Sequence, residues 1–290
     1  MKKIVFTRSS NERHWVGDGF PVRTLFSYND IAKDVSPFLL LDYAGPAQFP
    51  PSDHARGVGA HPHRGFETVT IVFSGEVDHR DSSGGGGSIG PGDVQWMTAA
   101  SGLVHEEMHG KEFTKRGGAF EMIQLWVNLP AAHKMAAPRY QGLKDADFPR
   151  VELPNGAGFV RVIAGELGAV RGPARTFTPI DLWDVRLHAA ARTSFRLPVG
   201  HTAAVFVSSG KIQIGNRTLE EATLAVLDPD EPDLELTALA ETKLLVLSGE
   251  PIDEPIVGYG PFVMNTREEI QQAFVDFQSG RMGGIDSSSS

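Results

Sequence analysis

Two histidines one residue apart, His61 and His63 in HPHRGFETVTIVFSG (61–75), and a second pair, His105 and Glu107 in GLVHEEM (102–108), have the types and spacing of a reactive site. In a strand, residues i and i+2 project from one face, so each pair aims two side chains at one place. Pro62 lacks an N–H and belongs at a strand start or edge, which puts the first pair at a rim that a reactant can reach. A His-x-His pair by itself is more often a surface or satisfied pair. With His105 and Glu107 on a neighbouring strand, four nitrogen and oxygen donors converge. Such a set suits a divalent transition metal and leaves room on the ion for a reactant, whereas a structural zinc site is closed and normally carries sulfur. The ion's charge, only partly offset by one carboxylate, favours an anionic ligand such as superoxide or an enolate. Glu67 is expected on the same side as His63, deeper in, and Glu106 is expected to face away.

The elements that must hold these residues read as short strands. TVTIVF (68–73), GAFEMIQLWVN (118–128), FVRVIA (159–164), LWDVRL (182–187) and AAVFV (203–207) are punctuated by Gly, Pro, Asp or Asn, the pattern of an all-β sandwich or barrel. Residues 76–92, with four consecutive glycines, read as a flexible hairpin tip. No Gly-Lys-Ser/Thr follows them, which excludes a phosphate loop. The Pro-bearing stretch 130–154 reads as a connection between two domains, 1–130 with the metal site and 131–290 with a helix at about 266–279. Both halves carry strand patterns, so an internal duplication is expected. The helix is capped by Asn265 or Thr266, lays Ile270, Ala273, Phe274 and Phe277 on one face, and closes at Gly280. Asp286 to Ser290 reads as a frayed tail.

Composition narrows the partners. The 290 residues are 41% hydrophobic, carry a formal charge of −9 and include no cysteine. Disulfides and thiolate metal sites are thereby excluded. The acidic balance, without Lys/Arg clusters, argues against direct nucleic-acid binding. No apolar run is long enough to span a membrane, and the N-terminus turns polar after Phe6, unlike a signal peptide. Cytoplasmic residence is the default expectation.

The spacing G-x-G-A-His61-x-His63-x-x-x-Glu67, followed by Gly75, resembles the first cupin motif, and Gly92-Asp93 through Gly102-x-x-His105 resembles the second. HPHRGFETVT, GPGDVQWMTA, GLVHEEM, QLWVNLP and PIVGYGPFVMNTREEI resemble, more specifically, the pirin family, over about residues 18 to 283. The resemblance implies a bicupin, two face-to-face β-sandwich or barrel domains, with iron held in the first by His61, His63, His105 and Glu107. Glu67 then sits behind the ligands, and the second domain is a degenerate cupin. Its His188 and His201 stand alone, and no metal is expected there. His105 is followed by Glu-Glu-Met and not by the usual cupin x-x-x-Asn.

Phe66, Met97 and Gln124 are candidates to line the pocket beside the metal, although core is the default for each. His79-Arg80-Asp81-Ser82 reads as a loop wired by its own hydrogen bonds, with a catalytic His–Asp pair as the alternative. His14, His54, His109 and His133 read as surface or loop residues, and Arg64 is expected to pair with an acid. The family resemblance implies two functions. One is a quercetin 2,3-dioxygenase-like oxidoreductase, which cleaves a flavonol with O2 using one divalent metal, Fe(II) first, with Mn, Co, Ni, Cu or Zn also compatible, and with Glu107 as general base. The other is a non-enzymatic, iron- and redox-dependent co-regulator that binds a transcription factor or metabolic enzyme. A vestigial metal site is the third reading.

Overall fold

The computed structural model describes residues 1–285, so the expected tail at 286–290 lies outside the described residues. The chain is built almost wholly of β-strands, with two α-helices, Lys111–Arg116 and Arg267–Gln278, and a few single 3₁₀ turns. It divides into two compact units that are not consecutive halves. One contains residues 1–11, 31–38 and 146–251; the other contains 12–30, 39–145 and 252–290. The junction between 145 and 146 falls inside the expected connection. The C-terminal helix, however, belongs with the histidine-bearing unit and not with the second half, and the N-terminal strand Ile4–Ser9 belongs with the second unit.

Each unit pairs a seven-stranded antiparallel sheet with a four-stranded one. In the histidine-bearing unit the large sheet runs Arg139–Leu143, Val94–Thr98, Phe66–Ser74, Gly118–Asn128, Phe38–Phe49, Phe20–Phe26, His14–Val16. Its small sheet runs Gly57–His63, Leu103–His109, Val77–Asp81, Gly86–Ile89. In the other unit the small sheet runs Arg192–Arg196, Asp233–Ala238, Lys211–Ile214, Arg217–Glu220, the same order in chain rank. The repeated order supports the expected duplication. The glycine-rich stretch read as a flexible hairpin tip is a hairpin, with Val77–Asp81 paired to Gly86–Ile89, so that Gly86 and Gly87 lie within a strand.

The two interiors differ in chemistry. In the second unit, Phe195, Leu234 and Leu236 of the small sheet pack with Trp183 into an apolar core. In the histidine-bearing unit, one apolar cluster gathers Val72, Val77, Ile89, Phe113, Phe120 and Met122. The rest of the same inward faces carries Thr70, Gln124, Glu107 and the histidines. The strands there are buried on both faces, so the simple alternation of an exposed sheet is lost. No described helix is long and apolar enough to cross a membrane.

The C-terminal helix forms as its sequence dictates. Thr266 caps it in a reciprocal capping box with Glu269. Ile270, Ala273 and Phe274 pack against Val104, Phe262 and Met264, but Phe277 is exposed. Asp276 is buried in its place, because Arg64 supplies a charge partner.

Candidate metal centre

His61, His63 and His105 come together from the two adjacent strands of the small sheet, with His105 directly opposite His61. One ligand atom from each lies within 4.8 Å of the others. His63 and His105 are buried, and His61 is half-buried at the rim. Burial holds all three imidazoles below their ordinary pKa, and neighbouring histidines add to the effect at His63 and His105. They are therefore neutral, the form that binds metal.

Each ring's Nδ1 already has a partner. His61 Nδ1 donates to the Gly59 carbonyl at 2.8 Å, and His63 Nδ1 lies 3.4 Å from the Pro261 carbonyl. His105 Nδ1 lies 2.9 Å from Nε2 of His79. A carbonyl can only accept, so His61 and His63 carry their proton on Nδ1 and present a bare Nε2. His105 Nε2 is buried and has no partner among the described residues. An unpaired buried nitrogen beside two free imidazole lone pairs fits a divalent cation.

Glu107 lies outside this convergence. It follows His105 by two on the same strand, opposite Val58 across a shift in register. Its Oε1 is 3.2 Å from the Thr70 hydroxyl, which is 2.7 Å from Gln124 Oε1. One hydroxyl proton cannot serve two acceptors. The trio is satisfied when Glu107 is protonated or when Gln124 turns its amide. Burial pushes the Glu107 carboxyl up to about 7.

Glu67 does not lie on the side expected. Gly65, at φ +90°, ends the first strand where a Cβ would strike the Val263 carbonyl, and Phe66–Ser74 starts anew in the other sheet. The face parity counted from His63 is thereby lost. Glu67 accepts from Thr98 at 2.6 Å, lies 3.7 Å from Arg139, and is raised to about 7 by burial. Phe66 does meet the site, edge-on to His63 at 5.1 Å. Trp126 also stands against His63, at 5.2 Å, and stacks on Phe66. Met97 packs into a small core with Ala99, Leu103 and Tyr140. Glu106 turns away and pairs with Arg80.

Two histidines sit where the sequence did not suggest. His109, read as a surface residue, is buried among Phe20, Phe49, Phe113 and Phe120, its Nε2 donating to the Gly19 carbonyl. His79, read as part of a loop, lies on the strand Val77–Asp81 with its ring stacked on Tyr140. Its signal was the alternation Val77, His79, Asp81, whose side chains are all buried. The expected acid for Arg64 is Asp276, at 2.8 Å; Arg64 Nε also donates to the Ser101 carbonyl. Lys134 donates to the Gly65 and Val263 carbonyls and to Asn128 Oδ1, closing the turn beside His63. In the other unit, His188 is exposed beside Glu241. His201 lines a cavity of about 1000 Å³ whose walls mix Arg171, Arg175 and Arg196 with Glu166 and Asp181.

The Pirin family model matches residues 19–127, and the Pirin C-terminal cupin domain model matches residues 182–283. A Pseudomonas aeruginosa protein named "Putative quercetin 2,3-dioxygenase" is 61% identical over 281 residues, covering 97% of this chain and 98% of its own. The crystal structure of a quercetin 2,3-dioxygenase from Acinetobacter baumannii superimposes with a TM-score of 0.96 at 50% identity, over 99% of this chain and 100% of that one. The Escherichia coli bacterial pirin YhhW, solved in complex with nickel(II), shares the fold with a TM-score of 0.65 at 20% identity, over 87% of this chain and 100% of its own. With both cupin units matched and near-complete coverage by a close relative, this chain belongs to the pirin family.

Proposed function

We propose that this protein is a metal-dependent dioxygenase of the pirin type that cleaves quercetin or a related flavonol with O2. The observation that carries this reading is the convergence of His61, His63 and His105, one ligand atom of each within 4.8 Å of the others and each Nδ1 already engaged elsewhere. These three would hold one divalent ion, Fe(II) by preference, and Glu107 would complete the set or serve as base beside it. When bound, the metal supplies Lewis acidity and a template for the ionised substrate and O2.

The remaining roles belong to the chain. Glu107, through the oxygen not engaged by Thr70, takes the proton of the flavonol hydroxyl. A carboxyl near pH 7 both accepts and returns a proton at working pH. Thr70 and Gln124 fix the orientation of that carboxyl. Phe66 and Trp126 wall the His63 side with apolar surface, where a flat aromatic ring is received and water is kept out. Dioxygen then opens the activated ring with loss of carbon monoxide.

Iron-loaded protein incubated with quercetin in air should bleach the flavonol's near-visible absorption. Turnover no faster than with metal-stripped protein would remove the reading for quercetin.

A further inference from the structure

The Nε2 of His79 and the Nδ1 of His105 are 2.9 Å apart, both side chains are buried, and a single proton lies between them. Two arrangements are possible. If His79 Nε2 donates, His105 carries its one ring proton on Nε2 and cannot bind a cation there. If His105 Nδ1 donates, His105 Nε2 is bare and His79 carries its proton on Nδ1. Asp81 breaks the tie. It lies two residues from His79 on the same buried strand face and directly opposite His105. Its Oδ1 is occupied by the N–H groups of Ser83 and Gly85 and by the Ser83 hydroxyl, while its Oδ2 is buried without a hydrogen-bond partner among the described residues. His79 Nδ1 is likewise buried without such a partner, and a carboxylate on the same strand face favours an N–H there over a bare lone pair.

We propose that His79, biased by Asp81, is a positioning residue that fixes His105 in the tautomer able to ligate metal through Nε2. The arrangement is an imidazole relay in place of the direct carboxylate or carbonyl partner that usually orients a metal-bound histidine. Tyr140, stacked on His79 at 5.3 Å with an interplanar angle of 12°, holds the ring in the required plane. The inference rests on the reading of the three-histidine cluster as a metal centre, but its central claim concerns a proton position in the protein itself.

Two measurements test it. In metal-free wild-type protein, nitrogen–proton correlation NMR of the imidazoles should show His105 protonated on Nδ1; protonation on Nε2 overturns the proposal. Zinc(II) affinity is then measured by chelator competition for two variants whose folding is checked by circular dichroism. His79→Phe keeps a ring against Tyr140 but removes the acceptor, and should weaken zinc about tenfold or more, whereas His79→Gln keeps an acceptor near the Nε2 position and should stay within about threefold of wild type. The reverse order, with Phe tolerated and Gln not, assigns His79 to packing and overturns the proposal. Failure of wild-type protein to bind zinc at all would overturn the metal reading, and the NMR result would still decide the relay.

Discussion

At the scale of single residues, the site depends on neutral imidazoles whose outward nitrogens are already occupied. Replacing His61, His63 or His105 by Ala should lower metal affinity by more than the roughly 10–100-fold that loss of an outer partner costs, as read by metal analysis of the purified protein. Glu67 makes a separable prediction. Burial raises its carboxyl to about 7 in the folded protein, whereas in the unfolded chain it titrates near about 4.3. Between those values the folded state holds a proton that the unfolded state has released. The carboxyl therefore destabilises the fold progressively as pH rises through this window, by up to about 4 kcal/mol. Glu67→Gln removes that term, so its stability advantage over wild type in urea should widen from pH 5 to pH 8. An equal difference at both pH values would show that the carboxyl is not raised.

At the scale of elements, the C-terminal segment acts as a strap beside the histidine-bearing strand. Asp276 of the helix binds Arg64, the residue after His63, and the Pro261 carbonyl approaches His63 Nδ1. Gln272, Arg64 and Arg281 all donate to Asp276 and hold its carboxyl down to about 2. Asp276→Ala strands a buried guanidinium and should cost about 3 kcal/mol. It should also loosen metal binding, although Asp276 touches no ligand; denaturant melts and chelator competition read the two effects. Because the folded pKa is depressed, the strap's contribution is complete at neutral pH and is lost as pH falls from about 4, the unfolded value, through about 2.

At the scale of the whole molecule, one strand order is used twice with opposite interiors. In the unit filled by Phe195, Leu234, Leu236 and Trp183, the buried face of the small sheet is apolar. The other unit leaves Thr70, Gln124, Glu107 and three histidines in the same layer. Metal should therefore stabilise the histidine-bearing unit. A free concentration a thousand times the dissociation constant corresponds to about 4 kcal/mol. Scanning calorimetry should show the transition of that unit move upward with metal and return on chelation, while the apolar unit's transition stays in place.

The sequence by itself determined the all-β class, the two-fold repetition, the capped C-terminal helix and the three histidines. These follow from local signals, namely period-two spacing, turn residues and a capping box, which act within a few residues. Tertiary structure decided what depends on register and on partners remote in the chain. It sent Glu67 to the other face through the break at Gly65, and it engaged the Glu107 carboxyl with Thr70 of the facing sheet. It exchanged the terminal segments between units, and it buried His79 against His105, which is 26 residues away. Such pairings are set by which strand lies beside which, and the order of residues along one strand does not encode its neighbour.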